Sequence, residues 1–162
     1  MRKKEKEITE TSAIESIIHQ SIVCRLGLSE GSLPYVVPVC FGYQDRTIYI
    51  HGSFMGKKID MIQKNPNVCC EFDINTKIMQ AENACDWGVK YQSVIGFGKA
   101  SLLKDPDEKR KALSIIMSQY SDRSFQFPEK KLDKTAVIKI DIETMTGKQS
   151  GPIDEEDNDN GR

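Results

Sequence analysis

The chain has 162 residues and a formal net charge of −1, from 23 basic and 24 acidic residues. That length suits one domain with a single sizeable core. The interspersed charges leave no basic face for nucleic acid, and no apolar run approaches a membrane span. The five cysteines (Cys24, Cys40, Cys69, Cys70 and Cys85) contain no C-x-x-C pair, so neither a disulfide framework nor a metal site is expected, and a reducing cytoplasm is the expected setting.

Residues 1–10 are charged, lead into no signal-peptide apolar segment, and read as a loosely docked arm. Ser12 with Glu15 has the spacing of a capping box, and Ile14, Ile17 and Ile18 share a helical face, so a short helix to about Gln20 is predicted. His19 on that helix reads as a surface residue, having no second ligand near it in sequence. Ser21–Ser29 reads as a strand followed by a turn at Glu30-Gly31-Ser32. Leu33–Tyr43 is a second strand, interrupted by Pro34 and Pro38. Proline cannot donate to a ladder, so Pro38 marks a plain edge, a bulge, or a place where a planar ligand lies against the backbone near Val37–Cys40.

Thr47–His51 alternates cleanly, with Ile48 and Ile50 on one face and Tyr49 and His51 on the other. The strand stops at Gly52, and a helix is predicted from about Ser53 to Lys64, before Pro66. Lys57 and Lys58 then fall in its first turns, where the helix N-terminus already carries partial positive charge and unpaired N–H groups. Either the lysines are merely solvated there, or an anion such as phosphate removes the conflict. The pattern is not a nucleotide-triphosphate loop: Gly52 and Gly56 are one residue too close, and Lys58 stands where a magnesium-holding hydroxyl would be.

Asn67–Asp73 is a further strand, residues 75–90 read as irregular, and Trp87 reads as capping the core or covering a ligand, with core packing the expectation. Lys90–Leu103 is a long strand whose Gly96 and Gly98 leave a groove on one face, open to another backbone, a helix or a ligand. Asp105-Pro106 opens a helix to about Tyr120, with Asp105 as N-cap. Thr135–Met145 is the last strand, and residues 149–162 form an acidic tail predicted to be disordered.

Six strands with short turns, one helix after the third strand and another before the last, suggest a closed or nearly closed antiparallel barrel. The ordered blocks VCRLGLS, PYVVPVCFGY, IYIHGSFMGKKIDMI, NPNVCCEFD and YQSVIGFGKA resemble the flavin-binding split β-barrel family related to pyridoxamine 5′-phosphate oxidase. Within it the chain is most similar to the 5-nitroimidazole resistance proteins. The resemblance implies a mainly β fold, a six-stranded antiparallel split β-barrel with flanking helices over residues 1–148. It also implies FMN, with FAD as the alternative, at the interface of a homodimer. Lys57, Lys58, Gln92 and Ser93 match the phosphate-holding positions, the backbone of Val37, Pro38, Val39 and Cys40 would edge the flavin ring, and His51 would lie beside it with Gly52 and Ser53 leading to the phosphate. The arginine-rich substrate loop of a true pyridoxamine phosphate oxidase is missing, which argues against pyridoxal phosphate synthesis. The expected function is reduction of a small organic substrate such as a nitro-aromatic compound, with the flavin carrying the redox chemistry and His51 the one catalytic candidate. Two alternatives are a flavin binder without turnover, and a haem-binding relative with His51 or His19 as axial ligand.

Overall fold

The computed structural model describes residues 4–152. After a 3-10 turn at Lys4–Lys6 come β1 (Glu7–Ile8), α1 (Thr11–Gln20), β2 (Cys24–Glu30), β3 (Leu33–Val39), β4 (Gly42–Gln44), β5 (Thr47–Gly52) and α2 (Lys57–Lys64). Then follow β6 (Asn67–Met79), β7 (Gly88–Leu102), α3 (Pro106–Ser118), α4 (Glu129–Leu132) and β8 (Ala136–Ser150). The architecture is mainly β, an antiparallel sheet with flanking helices, in the strand order β3-β2-β6-β7-β8-β5-β4 with β1 on β8. No helix among the described residues is long and apolar enough to cross a membrane.

Among the described residues the sheet has eight strands. The two beyond the expected six are short: β4, split from β3 by a break at Cys40–Phe41, and β1, which ties the expected loose arm to Gly147 and Lys148 of β8. Residues 75–79, expected to be irregular, continue β6, and β8 runs on to Ser150. Most of the expected acidic tail lies outside the described residues.

The chain divides into two compact units: the first holds residues up to Ser21, Phe72–Ile95 and those from Met145 on, the second Ile22–Glu71 and Gly96–Thr144. In the first unit, α1 buries Ile14, Ile17 and Ile18 as its spacing predicts. Its N-cap is Glu10, without a side-chain cap bond, so the expected capping box of Ser12 and Glu15 does not form. Gly147 lets β8 pass close to β1 and α1, since a Cβ there would stand 2.8 Å from Ile8 Cβ and 3.0 Å from Ile14 Cγ1. Trp87 is half-exposed rather than in the core, because its Nε1 donates to the Ala81 carbonyl at 2.8 Å and holds the ring over its own loop.

In the second unit, β5 buries Ile48 and Ile50, while α2 buries Ile59, Met61 and Ile62. On α3, Ala112, Leu113 and Ile116 pack with Leu132 and Val137. Asp105 caps α3, accepting from the Asp107 and Glu108 N–H groups at 3.0 and 2.9 Å, with Pro106 at the first helical position. The Cys24 and Cys70 thiols meet in the interior, where their hydrogen bond and burial push Cys70 well above the ordinary thiol value.

Two glycines permit the tightest approaches in this unit. A Cβ on Gly42 would lie 2.5 Å from the Ile115 backbone, and one on Gly98 only 2.2 Å from the Asp141 carbonyl oxygen. The groove at Gly98 is therefore filled by a neighbouring strand's backbone. Gly27 differs, because its nearest neighbours, Cys69 Cβ and O, stand at an ordinary 3.4 Å. Gly42→Ala and Gly98→Ala should each cost more than about 2 kcal/mol, since backbone must move, and Gly27→Ala less than about 1 kcal/mol. Urea unfolding of the three variants checks this; equal losses would mean the close approaches are not rigid.

Candidate functional site

Helix α2 starts later than the sequence suggests, at Lys57 rather than about Ser53. Ser53 resembles an N-cap, but its Oγ accepts from the Met55 N–H at 3.2 Å and so closes a turn within the loop. Gly56 takes the cap position at φ 128°, ψ 161°, a conformation that favours glycine. The first helical bonds run from the Ile59 and Asp60 N–H groups to the Gly56 carbonyl, at 2.9 and 3.2 Å. The N–H groups of Lys57 and Lys58 therefore precede the helix ladder, and both lysines sit at the first turn itself, nearer the positive end than the sequence implied.

Their side chains differ. Lys57 is exposed, with Nζ 4.6 Å from the centroid of the Tyr35 ring on β3. Lys58 is half-buried and its Nζ lies over Gly52, 3.5 Å from where a Cβ would be. Burial pulls the Lys58 pKa below the ordinary lysine value. No carboxylate forms an ion pair with Lys58 among the described residues, whereas Lys64 pairs with Glu30, Lys99 with Glu143 at 3.6 Å and Lys139 with Asp141 at 2.9 Å. A half-buried ammonium in the first turn of a helix can accept an anion, although Asp60 in the same turn already offsets part of the positive end.

Of the expected ring-edging residues, Val37, Pro38 and Val39 lie on β3, at the end of the strand order, and Cys40 in the break that follows it. Val37 is half-buried, Pro38 exposed, Val39 buried, and Cys40 exposed rather than packed like the buried cysteines. Pro34 pairs with Ser29 and Pro38 with Arg25. The Ser29 carbonyl accepts from Asn65 Nδ2 at 3.3 Å, so the backbone groups of that pair turn away from the β2–β3 seam. By the two-residue repeat, Pro34, Val36 and Pro38 turn their carbonyls outward, with Val36 giving the one N–H among these three residues. The proline strand is thus an edge, rich in acceptors. Just beyond it, the Phe41 N–H donates to Tyr120 Oη at 2.9 Å, and that hydroxyl donates to the Ile22 carbonyl at 3.0 Å. Burial raises the Tyr120 pKa.

His51 is exposed on β5 opposite Val137, and Gly52 and Ser53 continue from it towards α2. Nine of the expected residues, from Val37 to Lys58, thus belong to the second unit. Gln92 and Ser93 belong to the first, where Asn75 Nδ2 donates to Gln92 Oε1 at 3.0 Å. Tyr35 was not legible as a partner of Lys57, because that contact bridges residues far apart in sequence. A hollow of about 390 Å³ between the end of α3 and residues 121–125 contains none of the expected site residues. Among the described residues no group of three or more His, Cys, Asp or Glu side chains could hold a metal ion.

Residues 10–149 match the family described as pyridoxamine 5′-phosphate oxidase. A solved structure of a candidate 5-nitroimidazole antibiotic resistance protein from Bacteroides thetaiotaomicron is 36% identical, covering 88% of this chain and 86% of its own, with a TM-score of 0.80. Two more distant structures share the fold. A flavocytochrome from Azotobacter vinelandii is 21% identical over 99% of this chain and 78% of its own, with a TM-score of 0.79. An FAD- and haem-binding protein from Mycobacterium smegmatis is 17% identical over 94% of this chain and 78% of its own, with a TM-score of 0.82. No curated protein matches.

The Lys58 environment has a consequence for ligand-free stability. Its folded pKa lies below that of the unfolded chain, so between the two values the unfolded state binds more protons and stability rises with pH. Lys58→Met should therefore be at least as stable as the wild type at neutral pH. The wild type should gain on the variant as the pH rises towards 10.5, the ordinary lysine value. Thermal melts from pH 7 to 10.5 check this; a variant less stable throughout would show that Lys58 is a structural prop.

Proposed function

This chain belongs to the pyridoxamine 5′-phosphate oxidase family, and on that premise we propose that it is a homodimeric flavin-binding oxidoreductase acting on a small organic substrate. The observation that carries the reading is the half-buried Lys58 ammonium over Gly52, at the start of α2 and, among the described residues, without a carboxylate ion pair. A flavin phosphate fits this donor set: two cationic side chains and the leading N–H groups of a helix. FMN presents that group as a terminal dianion, which suits the exposed Lys57 better than the bridging phosphates of FAD. Gln92 and Ser93 are proposed as further phosphate contacts.

When bound, the flavin supplies the redox chemistry. The chain's own residues bind and orient. The outward carbonyls of Val36 and Pro38 and the Val36 N–H give acceptors and a donor for the polar edge of a flat ring, alongside Val37, Val39 and Cys40. His51 is exposed at the strand end that leads to the phosphate, where it can flank the ring or pass a proton to a substrate. A nitro-aromatic substrate is supported by the 36% identical candidate nitroimidazole-resistance protein. The homodimer is supported by Val36 and Met55, 64% and 83% exposed beside the proposed site; apolar side chains this open suit a covering second subunit.

The purified protein should show the two broad near-ultraviolet and blue bands of a flavin, or acquire them on adding FMN. Replacing Lys57 and Lys58 together by alanine should raise the FMN dissociation constant by about two to four powers of ten, from roughly 1.5–3 kcal/mol per charge-assisted contact. Fluorescence titration, with light scattering on a dilution series to follow the dimer, measures both claims. An intense Soret band instead would favour the haem reading through His51 or His19. Uptake of FMN without nitro-compound-dependent oxidation of a reduced nicotinamide would favour a non-catalytic binder. A chain that takes up no flavin contradicts the proposal.

A further inference from the structure

Lys109 carries a charge that nothing above uses. It lies early in α3, three residues after Pro106, where a lysine opposes the helix dipole and would ordinarily reach into water. Instead it is only 6% exposed. Its Nζ donates to the Leu132 carbonyl at the end of α4, at 2.6 Å, and stands 5.1 Å from the centroid of the Phe54 ring. Among the described residues no carboxylate forms an ion pair with it. Burying an ammonium is costly unless it is compensated, so the carbonyl and the ring face must do what an acid would otherwise do.

Phe54 matters because of where it sits. It belongs to the loop from Ser53 to Gly56, between the end of β5 and the start of α2. Within that loop, the bond from the Met55 N–H to Ser53 Oγ is a local one, and Gly56 is intrinsically permissive. The Phe54 ring over Lys109 is a contact between the loop and α3. We infer that Lys109 is a positioning residue for the anion site: by holding Phe54 it fixes the loop that aims the leading N–H groups of α2 and the Lys58 ammonium. Lys109 itself touches no ligand. The inference rests on reading the α2 terminus as the phosphate site, but the anchoring of the loop is measurable without any ligand.

A double-mutant cycle on the full chain tests it. Lys109→Met keeps the length of the side chain and removes the charge; Phe54→Leu keeps apolar bulk at a partly exposed site and removes the ring face. Each should raise the FMN dissociation constant roughly tenfold, the scale of one desolvated cation–π contact. The double variant should be little worse than either single one, because both break the same link. In the ligand-free protein, hydrogen exchange at the amides of Phe54–Lys58 should speed up in both variants while those of Ile48–Ile50 stay unchanged. Additive effects on affinity, or unchanged exchange at residues 54–58, would overturn the inference, and Phe54→Leu decides it if Lys109→Met folds poorly. If the wild type takes up no FMN, the flavin reading fails while the exchange comparison still decides whether Lys109 anchors the loop.

Discussion

The second unit depends on a charge conflict left open at the start of α2. The helix terminus is positive, Lys57 and Lys58 occupy its first two positions with Asp60 as the one acid of the first turn, and the Lys58 ammonium is half-buried with no ion pair among the described residues. An exposed cation at a helix N-terminus costs about 0.3–1 kcal/mol, and partial desolvation adds to that. A charge-assisted bond to phosphate contributes about 1.5–3 kcal/mol. A phosphate held there, as proposed, would offset the cost of placing the lysines at the helix start. Lys64, Lys99 and Lys139, by contrast, pair with Glu30, Glu143 and Asp141.

Close approaches between distant parts of the sequence position the elements around α2. Gly56 supplies a conformation that few other residues adopt and lets the helix begin at the lysines. Gly42 lets β4 lie against the α3 backbone, and Gly98 lets β7 lie against Asp141. Tyr120 ties the break after β3 to the segment before β2, accepting from Phe41 and donating to Ile22. Side chains that would bind a ligand are thus carried on elements whose positions are set by close contacts rather than by the ligand.

The sequence made legible what is encoded locally. Alternation in Thr47–His51 and the Asp105-Pro106 cap were read correctly because each depends on a few adjacent residues. The α2 start was misread because Ser53 can cap a helix or close its own loop, and only the surrounding fold decides between them. Residues 75–79 and 146–150 were missed as strand because their polar composition hides pairing that tertiary context imposes. The resemblance blocks marked the lysines and the proline strand, whereas Lys109 gave no signal: its burial and its contact with Phe54 join residues 55 positions apart.

In the proposed site the phosphate is the handle by which this chain holds its ligand. Calorimetric titration with FMN and with riboflavin, which share a ring and differ in the phosphate, isolates that contribution. FMN should bind at least about a hundredfold more tightly, as two charge-assisted contacts require, and the gap should narrow as salt is added. Riboflavin binding as tightly as FMN would contradict the account, because the lysines at the start of α2 would then have no part in holding the ligand.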